Sequence, residues 1–292
     1  MKISKNNNLS KTLVVLCLIA IRSIAYSQDT NIPSPPSGYD AYQLDIARGT
    51  NEIVSYYSSV ADTNRKTRIY LPPGYSPDSL YNVLYLLHGI GGDINEWYNL
   101  GSPNYILDNL YSKGRIAPMI VVLPNGRAMK DDSPGSNIYA ADKVQGFADF
   151  EIELINDLIP FIDTTYPVKR EREARAIAGL SMGGGQALNI GLSNIGTFAF
   201  VGGFSSAPNT NKVGGMYSDV ELIPDIKAAK EKLKLLWIGC GNKDGLIRVS
   251  QGAHQYFKEK GVPHIWHVDT NAHDNTEWDN NLYLFAQHLF KK

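Results

Sequence analysis

The residues with the clearest chemical potential form the run Gly179-Leu180-Ser181-Met182-Gly183, a G-x-S-x-G pattern. It follows an apolar segment that predicts a strand and precedes a segment, 184–192, that predicts a helix. Glycines on either side of the serine permit a sharp strand-to-helix turn, which lifts the hydroxyl above the sheet. The first N–H groups of the helix then face a developing oxyanion. This context predicts that Ser181 is a nucleophile rather than an incidental serine in a glycine-rich turn.

A serine hydroxyl is a weak nucleophile at neutral pH and needs a histidine base that a carboxylate orients. In folds with this turn, the chain order is serine, then acid, then histidine. His273 lies in the loop between the last predicted strand and the last predicted helix, and we predict that it is the base. His254 and His288 fall within predicted helices, and His264 and His267 fall on a predicted strand, so these four are weaker candidates.

The predicted acid is Asp244, which follows a buried apolar strand and lies between the serine and the histidine in the sequence. Aspartate is also common in ordinary turns after strands, and that is the alternative for Asp244. Asp269 is its main rival. Asp274 adjoins His273, but its side chain points elsewhere if the imidazole faces the serine.

A second glycine-rich segment, Leu87-His88-Gly89-Ile90-Gly91-Gly92, ends the earliest buried strand. In this class of fold, one oxyanion donor is the N–H after the nucleophile, here that of Met182, and the other comes from such a loop. We predict the Ile90 N–H as the second donor. His88 is expected to brace the loop rather than to act as a base.

The elements that must position these residues alternate between apolar runs and helical patterns. The runs that predict strands are residues 53–57, 67–71, 83–87, 120–123, 174–178, 198–203, 235–238 and 264–268. Helical periodicity is clearest over residues 147–162, 248–260 and 280–290. Such alternation predicts an α/β fold of the α/β-hydrolase type, with a mostly parallel central sheet between two layers of helices. Active sites in these sheets lie beyond the carboxyl ends of the strands, where every candidate above falls.

Composition and charge exclude several functional classes. Hydrophobic residues make up 43% and charged residues 20% of the 292 residues, and the formal net charge is −1. These values are typical of a globular protein without a basic surface for nucleic acid or an anionic membrane. No spacing suggests a metal or phosphate site, so we expect no metal and no cofactor. Cys240 lies in an apolar run and is interpreted as a buried strand residue.

The first 27 residues predict an export signal, with early lysines, a short apolar stretch and Ala25-Tyr26-Ser27 at its end. An N-terminal membrane anchor is the alternative, but the apolar stretch is short for a bilayer. Residues 28–48 contain a proline-rich run and predict a tether, and residues 49–292 predict one esterase-type domain. We therefore expect a secreted or periplasmic protein with no membrane span after signal removal. The oligomeric state stays open.

Three segments together resemble carbohydrate esterase family 1, and in particular its feruloyl esterases within the wider group related to esterase D. They are residues 70–75 (YLPPGY), 83–97 (VLYLLHGIGGDINEW) and 179–184 (GLSMGG). The resemblance runs from about Asn51 to the C-terminus. Residues 241–247 (GNKDGLI) match the acid loop of the family, which implies Asp244 as the acid. Ala272-His273-Asp274 with Trp278 matches the base loop, although the family usually has glycine at the position of Ala272.

The resemblance implies hydrolysis of hydroxycinnamate or acetate esters on plant cell-wall polysaccharide, with a feruloylated or acetylated polysaccharide or oligosaccharide as substrate. Residues 125–145 are expected to form a wall of the acyl pocket. Tyr139, Trp97 and Tyr98 are candidates to stack on an aromatic acyl group or a sugar.

The expected function is that of a secreted, feruloyl esterase-like serine hydrolase that acts on xylan. Because one fold hosts many activities, an acetylxylan esterase or a siderophore esterase is the alternative within enzymes. From a different class, the alternative is a carbohydrate-binding module that keeps the fold without turnover. An intact set of serine, aspartate and histidine argues against such a module.

Overall fold

A computed structural model describes residues 32–207 and 221–291 of the chain. The predicted export signal lies outside the described residues. Eight strands form one sheet in the order β1-β2-β4-β3-β5-β6-β7-β8. The strands are β1 (Thr50–Ser58), β2 (Thr63–Leu71), β3 (Asn82–Leu87), β4 (Met119–Pro124), β5 (Arg175–Leu180), β6 (Phe200–Phe204), β7 (Leu235–Gly241) and β8 (Ile265–Asp269). Only β2 pairs antiparallel, with β1 and with β4, so the sheet is mostly parallel, as predicted.

Helices pack on both faces of this sheet. They are α1 (Glu96–Leu100), α2 (Pro103–Ser112), α3 (Ala141–Glu153), α4 (Ile159–Thr165), α5 (Ser181–Ser193), α6 (Ile226–Lys232), α7 (Ile247–Lys260) and α8 (Asn275–Ala286). The described residues form two hydrophobic clusters, one with apolar side chains of α3 to α7 and the other with those of α1, α2 and α8. The three-layer α/β prediction is therefore confirmed.

The central strands explain why the sequence patterns were readable. β3, β4 and β5 are buried at every position, so apart from Asn82 and Arg175 at the first positions of β3 and β5 their sequences are continuous apolar runs rather than alternating ones. Along β3, Leu84 and Leu86 point into one cluster, whereas Val83 and Tyr85 point into the other. Each strand thus supplies side chains to both cores. Cys240 is buried in β7, which confirms its interpretation as a strand residue.

Two helical predictions differ from the structure in their detail, and α2 was missed. The helix predicted over 147–162 is α3 and α4 joined by a π-helical turn at Leu154–Leu158, just before Pro160. α8 begins five residues earlier than predicted, because the Asp274 side chain caps it, and it ends at Ala286. α2 was not predicted, since its buried positions include Asp108 and Asn109 and so obscure its apolar face. No helix within the described ranges is both long and apolar enough to cross a membrane.

Candidate active site

The turn from β5 into α5 holds Ser181 in a strained conformation. Its backbone φ is 51°, which lies in the left-handed region that a non-glycine residue rarely adopts. The flanking glycines allow close backbone packing. A Cβ on Gly183 would lie 2.3 Å from the carbonyl oxygen of His88, and one on Gly179 would lie 2.5 Å from the backbone of Gly183. Only glycine fits at these two positions, so the G-x-S-x-G pattern is a packing requirement that presents the serine hydroxyl.

The structure brings Ser181, His273 and Asp244 together from the carboxyl ends of three parallel strands. His273 Nε2 lies 3.0 Å from Ser181 Oγ, and His273 Nδ1 lies 2.8 Å from Asp244 Oδ2. The Asp244 side chain is fully buried, whereas 35% of the His273 side chain is exposed. The ring of His273 also meets the Trp278 ring edge-on at 5.2 Å. Such a chain of contacts can take the proton from a serine hydroxyl as it attacks a carbonyl carbon.

Asp244 is held as the charged partner of the histidine. Burial by itself disfavours the carboxylate, but hydrogen bonds from His273 and from the backbone N–H of Leu246 outweigh burial and hold the pKa of Asp244 below its usual range. The Leu246 N–H donates to Asp244 Oδ1 at 2.7 Å. A carboxylate at Nδ1 keeps the proton on that nitrogen, which leaves Nε2 free to accept the serine proton.

The weaker candidates for acid and base have other partners. Asp269 accepts hydrogen bonds from Asn271 and Asn280, and Asp274 caps α8 by accepting from the Glu277 N–H. His264 bonds to His254 and to the carbonyl of Val262. The rings of His267 and His288 each pack against Trp237. The arrangement therefore favours Asp244 and His273.

The glycine-rich loop after β3 is fixed from two sides. His88 is buried; its Nδ1 lies 2.7 Å from the carbonyl oxygen of Gly89, and its Nε2 accepts from the Gly126 N–H at 2.9 Å. Burial lowers the pKa of His88 to about 4, so the ring stays neutral and braces the loop. The Gly89 N–H donates to the Glu96 carboxylate.

Arg127 also holds this loop, through hydrogen bonds to its backbone, and was not predicted from the sequence. Its guanidinium is fully buried and donates to the carbonyl oxygens of Ile90, at 3.0 Å, and of Gly92. It also donates to the carbonyl oxygen of Asp132 at 3.1 and 3.0 Å. Burial lowers the pKa of Arg127 from its usual value. Nothing in the sequence distinguishes this arginine, whereas Glu96 at least lies within the segment that carries the family resemblance.

A cavity of about 650 Å³ opens over the serine. Its lining is mostly apolar and consists of Ile90, Tyr139, Ser181, Met182, Ala207, Asp244, Gly245, Leu246 and His273. The predicted oxyanion donors Met182 and Ile90 thus lie in the wall of the cavity, beside the serine. Tyr139 lines it as well and is 67% exposed, so its ring is accessible to a bound molecule.

Two of the predicted substrate contacts are corrected by the structure. Trp97 is buried; its indole N–H donates to the carbonyl oxygen of Leu87 and its ring packs edge-on against Phe204. The Tyr98 hydroxyl bonds to Asn51, on a side of α1 that does not line the cavity. Aromatic residues that follow a glycine-rich loop can serve the core or the site equally well, and here they serve the core.

The sequence of the chain is similar to those of known esterases. A family model described as putative esterase matches residues 58–288. An endo-1,4-beta-xylanase/feruloyl esterase of Xylanibacter ruminicola is 31% identical over 278 residues, which are 92% of this chain and 35% of that relative. An acetyl esterase of Caldicellulosiruptor saccharolyticus is 24% identical over 79% of this chain and 94% of its own. The chain thus spans about a third of the length of the first relative and nearly all of the second.

Solved structures show the same fold. A CE1 ferulic acid esterase from the anaerobic fungus Anaeromyces mucronatus superposes with a TM-score of 0.79 at 28% identity, over 88% of this chain and 96% of that one. The same esterase in complex with ferulic acid gives 0.78 at 29% identity, with the same coverage. From the family match over most of its length, the chain belongs to the esterase family and is a carboxylic ester hydrolase of the α/β-hydrolase fold.

Proposed function

We propose that the chain is an exported serine esterase that removes hydroxycinnamate groups from plant cell-wall xylan. The observation that supports this most directly is the contact chain from Ser181 through His273 to Asp244 at the floor of an apolar cavity. The fold and the family establish ester hydrolysis. The size and the lining of the cavity support a choice among acyl groups.

In the proposed mechanism, Ser181 Oγ attacks the ester carbonyl carbon while His273 Nε2 takes the hydroxyl proton. The ester C–O bond then breaks as the imidazolium gives that proton to the leaving sugar oxygen, which departs as a hydroxyl. Asp244 stabilises the imidazolium, and the N–H groups of Met182 and Ile90 hold the negatively charged oxygen. A water molecule, deprotonated by the same histidine, attacks the acyl carbon; the bond to Ser181 Oγ breaks, the histidine returns the proton to that oxygen, and the acid is released.

The size and character of the cavity support an aromatic acyl group. Pockets for drug-sized ligands are about 300–1,000 Å³ and mostly apolar, and the cavity of about 650 Å³ lies within that range. An acetyl group would fill only a small part of it. Tyr139 offers an accessible ring at the wall, with which a phenyl ring can stack. The feruloyl esterase relative and the structure determined with ferulic acid support the same substrate class.

Acetyl esters are the second candidate, because a relative that matches along 94% of its length is an acetyl esterase. Export is supported by the sequence of the first 27 residues, which lie outside the described part of the chain. Xylan as the polysaccharide is supported by the xylanase activity in the name of the first relative.

Release of ferulate from methyl ferulate and of acetate from acetylated xylan tests the proposal, with Ser181→Ala and Ser193→Ala compared. Ser193 is exposed at the end of the same helix and serves as the matched control. We expect ferulate release by the wild type and by Ser193→Ala only. Acetate release alone would indicate an acetyl ester as the substrate and leave the proposed mechanism unchanged. If Ser181→Ala kept full turnover, or if a fluorophosphonate failed to label Ser181, the proposed nucleophile would be wrong.

A further inference from the structure

Two carboxyl groups lie against each other beneath the loop that carries His273. Asp269 ends β8 and Glu277 lies in the first turn of α8, and their carboxyl groups are close enough to interact directly. Glu277 is 0% exposed. None of the ion pairs within residues 32–207 and 221–291 includes either carboxyl. Glu277 is fully buried and Asp269 is half-buried, and with no cation between them two charges at this distance strongly disfavour each other, so one of the two carboxyls keeps a proton.

The hydrogen bonds identify Asp269 as the carboxylate of the pair. Its Oδ1 accepts from the Asn271 backbone N–H at 2.8 Å. Its Oδ2 accepts from the Asn271 side-chain amide at 2.7 Å and from the Asn280 amide at 3.1 Å. Three N–H donors converge on this group, and such donors stabilise the charged form. The interaction with Glu277 and these donors together hold the pKa of Asp269 below its usual range, against the opposing effect of burial.

The surroundings of Glu277 require the opposite charge state. The Asn281 amide oxygen accepts the indole N–H of Trp237 at 2.8 Å, so the amide nitrogen faces Glu277 and donates to its Oε1 at 2.7 Å. Glu277 Oε2 is buried and has no donor in good hydrogen-bond geometry among the described residues; the Asn271 side-chain amide lies near the glutamate carboxyl but donates to Asp269 at 2.7 Å. A buried oxygen in this position is satisfied if it carries a proton and donates to Asp269.

We propose that Glu277 is a positioning residue for His273: its neutral carboxyl group donates to Asp269 and thereby fixes the loop between β8 and α8. The inference rests on the proposed role of His273 as the catalytic base. Glu277 touches neither the serine nor the cavity, so it acts through the loop alone.

The loop between β8 and α8 is joined to the loop that carries Asp244. The carbonyl oxygen of Asp269 accepts from the Asn242 N–H at 2.9 Å, and that of Asn271 accepts from the Lys243 N–H at 3.0 Å. His273 follows Asn271 by two residues. The turn that Asp269 shapes therefore sets the position of the imidazole relative to both of its partners.

Ionisation of Glu277 would place two negative charges in direct contact and push the turn apart. Burial, and then the neighbouring Asp269 carboxylate, raise the pKa of Glu277 to about 9. His267 of β8 lies near the partner carboxyl Asp269, and burial lowers the pKa of that histidine. Among the described residues, the other titratable groups near the Glu277 carboxyl are Cys240 of β7 and Tyr39 of the N-terminal segment. Burial raises the pKa of Cys240 to about 12 and that of Tyr39 well above its usual value, so neither group ionises in the same range.

The first test measures the rate constant for fluorophosphonate labelling of Ser181 between pH 7 and 10.5, a readout that needs the histidine but not the natural substrate. The wild type is compared with Glu277→Gln, whose amide can donate to Asp269 at every pH. Glu231→Gln, on the exposed surface of α6, is the matched control. We expect wild type and Glu231→Gln to lose about tenfold in rate per pH unit above about pH 9, as for any single titrating group. Glu277→Gln is expected to keep its rate at least one pH unit further.

An alkaline decline shared by Glu277→Gln would overturn the proposal. A second measurement, on the wild-type protein, covers the case in which this variant does not fold. With ¹³C-labelled glutamate carboxyls, one resonance should have the chemical shift of a protonated acid at pH 7 and should titrate near pH 9. Ionised shifts for every glutamate at pH 7 would refute the neutral Glu277. This NMR result does not depend on catalysis, so it separates failure of the inference from failure of the proposed function.

Discussion

Replacing Arg127 by methionine tests whether the glycine-rich loop is catalytically active only when it is held in place. The guanidinium of Arg127 donates to the carbonyl oxygens of Ile90, Gly92 and Asp132. Methionine keeps an apolar side chain of similar length beside Phe147, over which the guanidinium now lies at 5.2 Å. The substitution therefore removes the donors while largely preserving the packing.

The expected magnitudes follow from these contacts. Each buried carbonyl left without a donor costs about 1–3 kcal/mol. Loss of the buried charge offsets part of that sum, because burial already disfavours the guanidinium, as its lowered pKa indicates. We expect a net loss of about 2–4 kcal/mol in the free energy of unfolding. If the Ile90 N–H loses its alignment, kcat should fall by about 10²-fold, the lower end of the cost of one oxyanion donor.

The control is Arg175→Met, at the start of β5 and so at the opposite end of that strand from Ser181. Arg175 is buried and donates to both carboxylate oxygens of Asp163, at 3.1 and 3.0 Å. Its loss should destabilise the fold by about 3–5 kcal/mol, as breaking a buried ion pair usually does, and leave kcat unchanged. Urea unfolding gives the stabilities, and the acylation rate is measured where both variants are folded. If Arg127→Met keeps the wild-type rate while losing stability, the loop is aligned by other contacts and the reasoning is refuted.

Three further predictions concern the acid, the cavity wall and the buried carboxyl pair. Asp244→Asn should lower kcat by about 10⁴-fold, because an amide no longer fixes the tautomer of His273; a loss under tenfold in steady-state turnover would point to another acid. Tyr139→Ala should raise KM for methyl ferulate and leave that for an acetyl ester unchanged, since only the aromatic acyl group can stack on the ring; equal effects on both esters would argue against stacking. Because the pKa of Glu277 is raised in the folded state, the unfolded chain releases this proton near pH 4.3 and the folded chain only near pH 9, so stability falls as pH rises across that window. In melting experiments the advantage of Glu277→Gln over wild type should therefore grow from pH 5 to pH 9, and a constant difference would contradict it.

The fold was readable from the sequence because its central strands are buried on both faces. Such strands leave continuous apolar runs such as 83–87, which need no knowledge of their partners to be recognised. The strained turn at Ser181 was readable for a similar reason, since close backbone contacts at Gly179 and Gly183 permit only glycine. These signals are local in the sequence.

The residues that escaped prediction act through contacts that are distant in the sequence. The pairing of β3 with β4 brings Arg127 next to the carbonyl oxygens of Ile90 and Gly92. No local sequence pattern predicts this contact. Trp97 was misassigned because an indole beside a glycine-rich loop can pack inward or outward, and the choice depends on Phe204 of another strand. Asp269 was a reasonable rival for the acid, because it lies close to His273 in the sequence. The sequence does not show that its carboxylate accepts hydrogen bonds from Asn271 and Asn280 instead.

The cavity shares part of its wall with Asp244, the proposed catalytic acid, and this limits how its specificity can vary. Leu246 lines the cavity with its side chain, while its backbone N–H donates to Asp244 at 2.7 Å. A change that moves this segment to fit another acyl group would also disturb one of the hydrogen bonds that favour the ionised form of Asp244. The segment that carries Tyr139 is held by other contacts, since the Lys143 ammonium donates to the carbonyl oxygens of Asp131 and Ser133. Selectivity among acyl groups can therefore change in the Tyr139 segment without altering the charge on the catalytic acid.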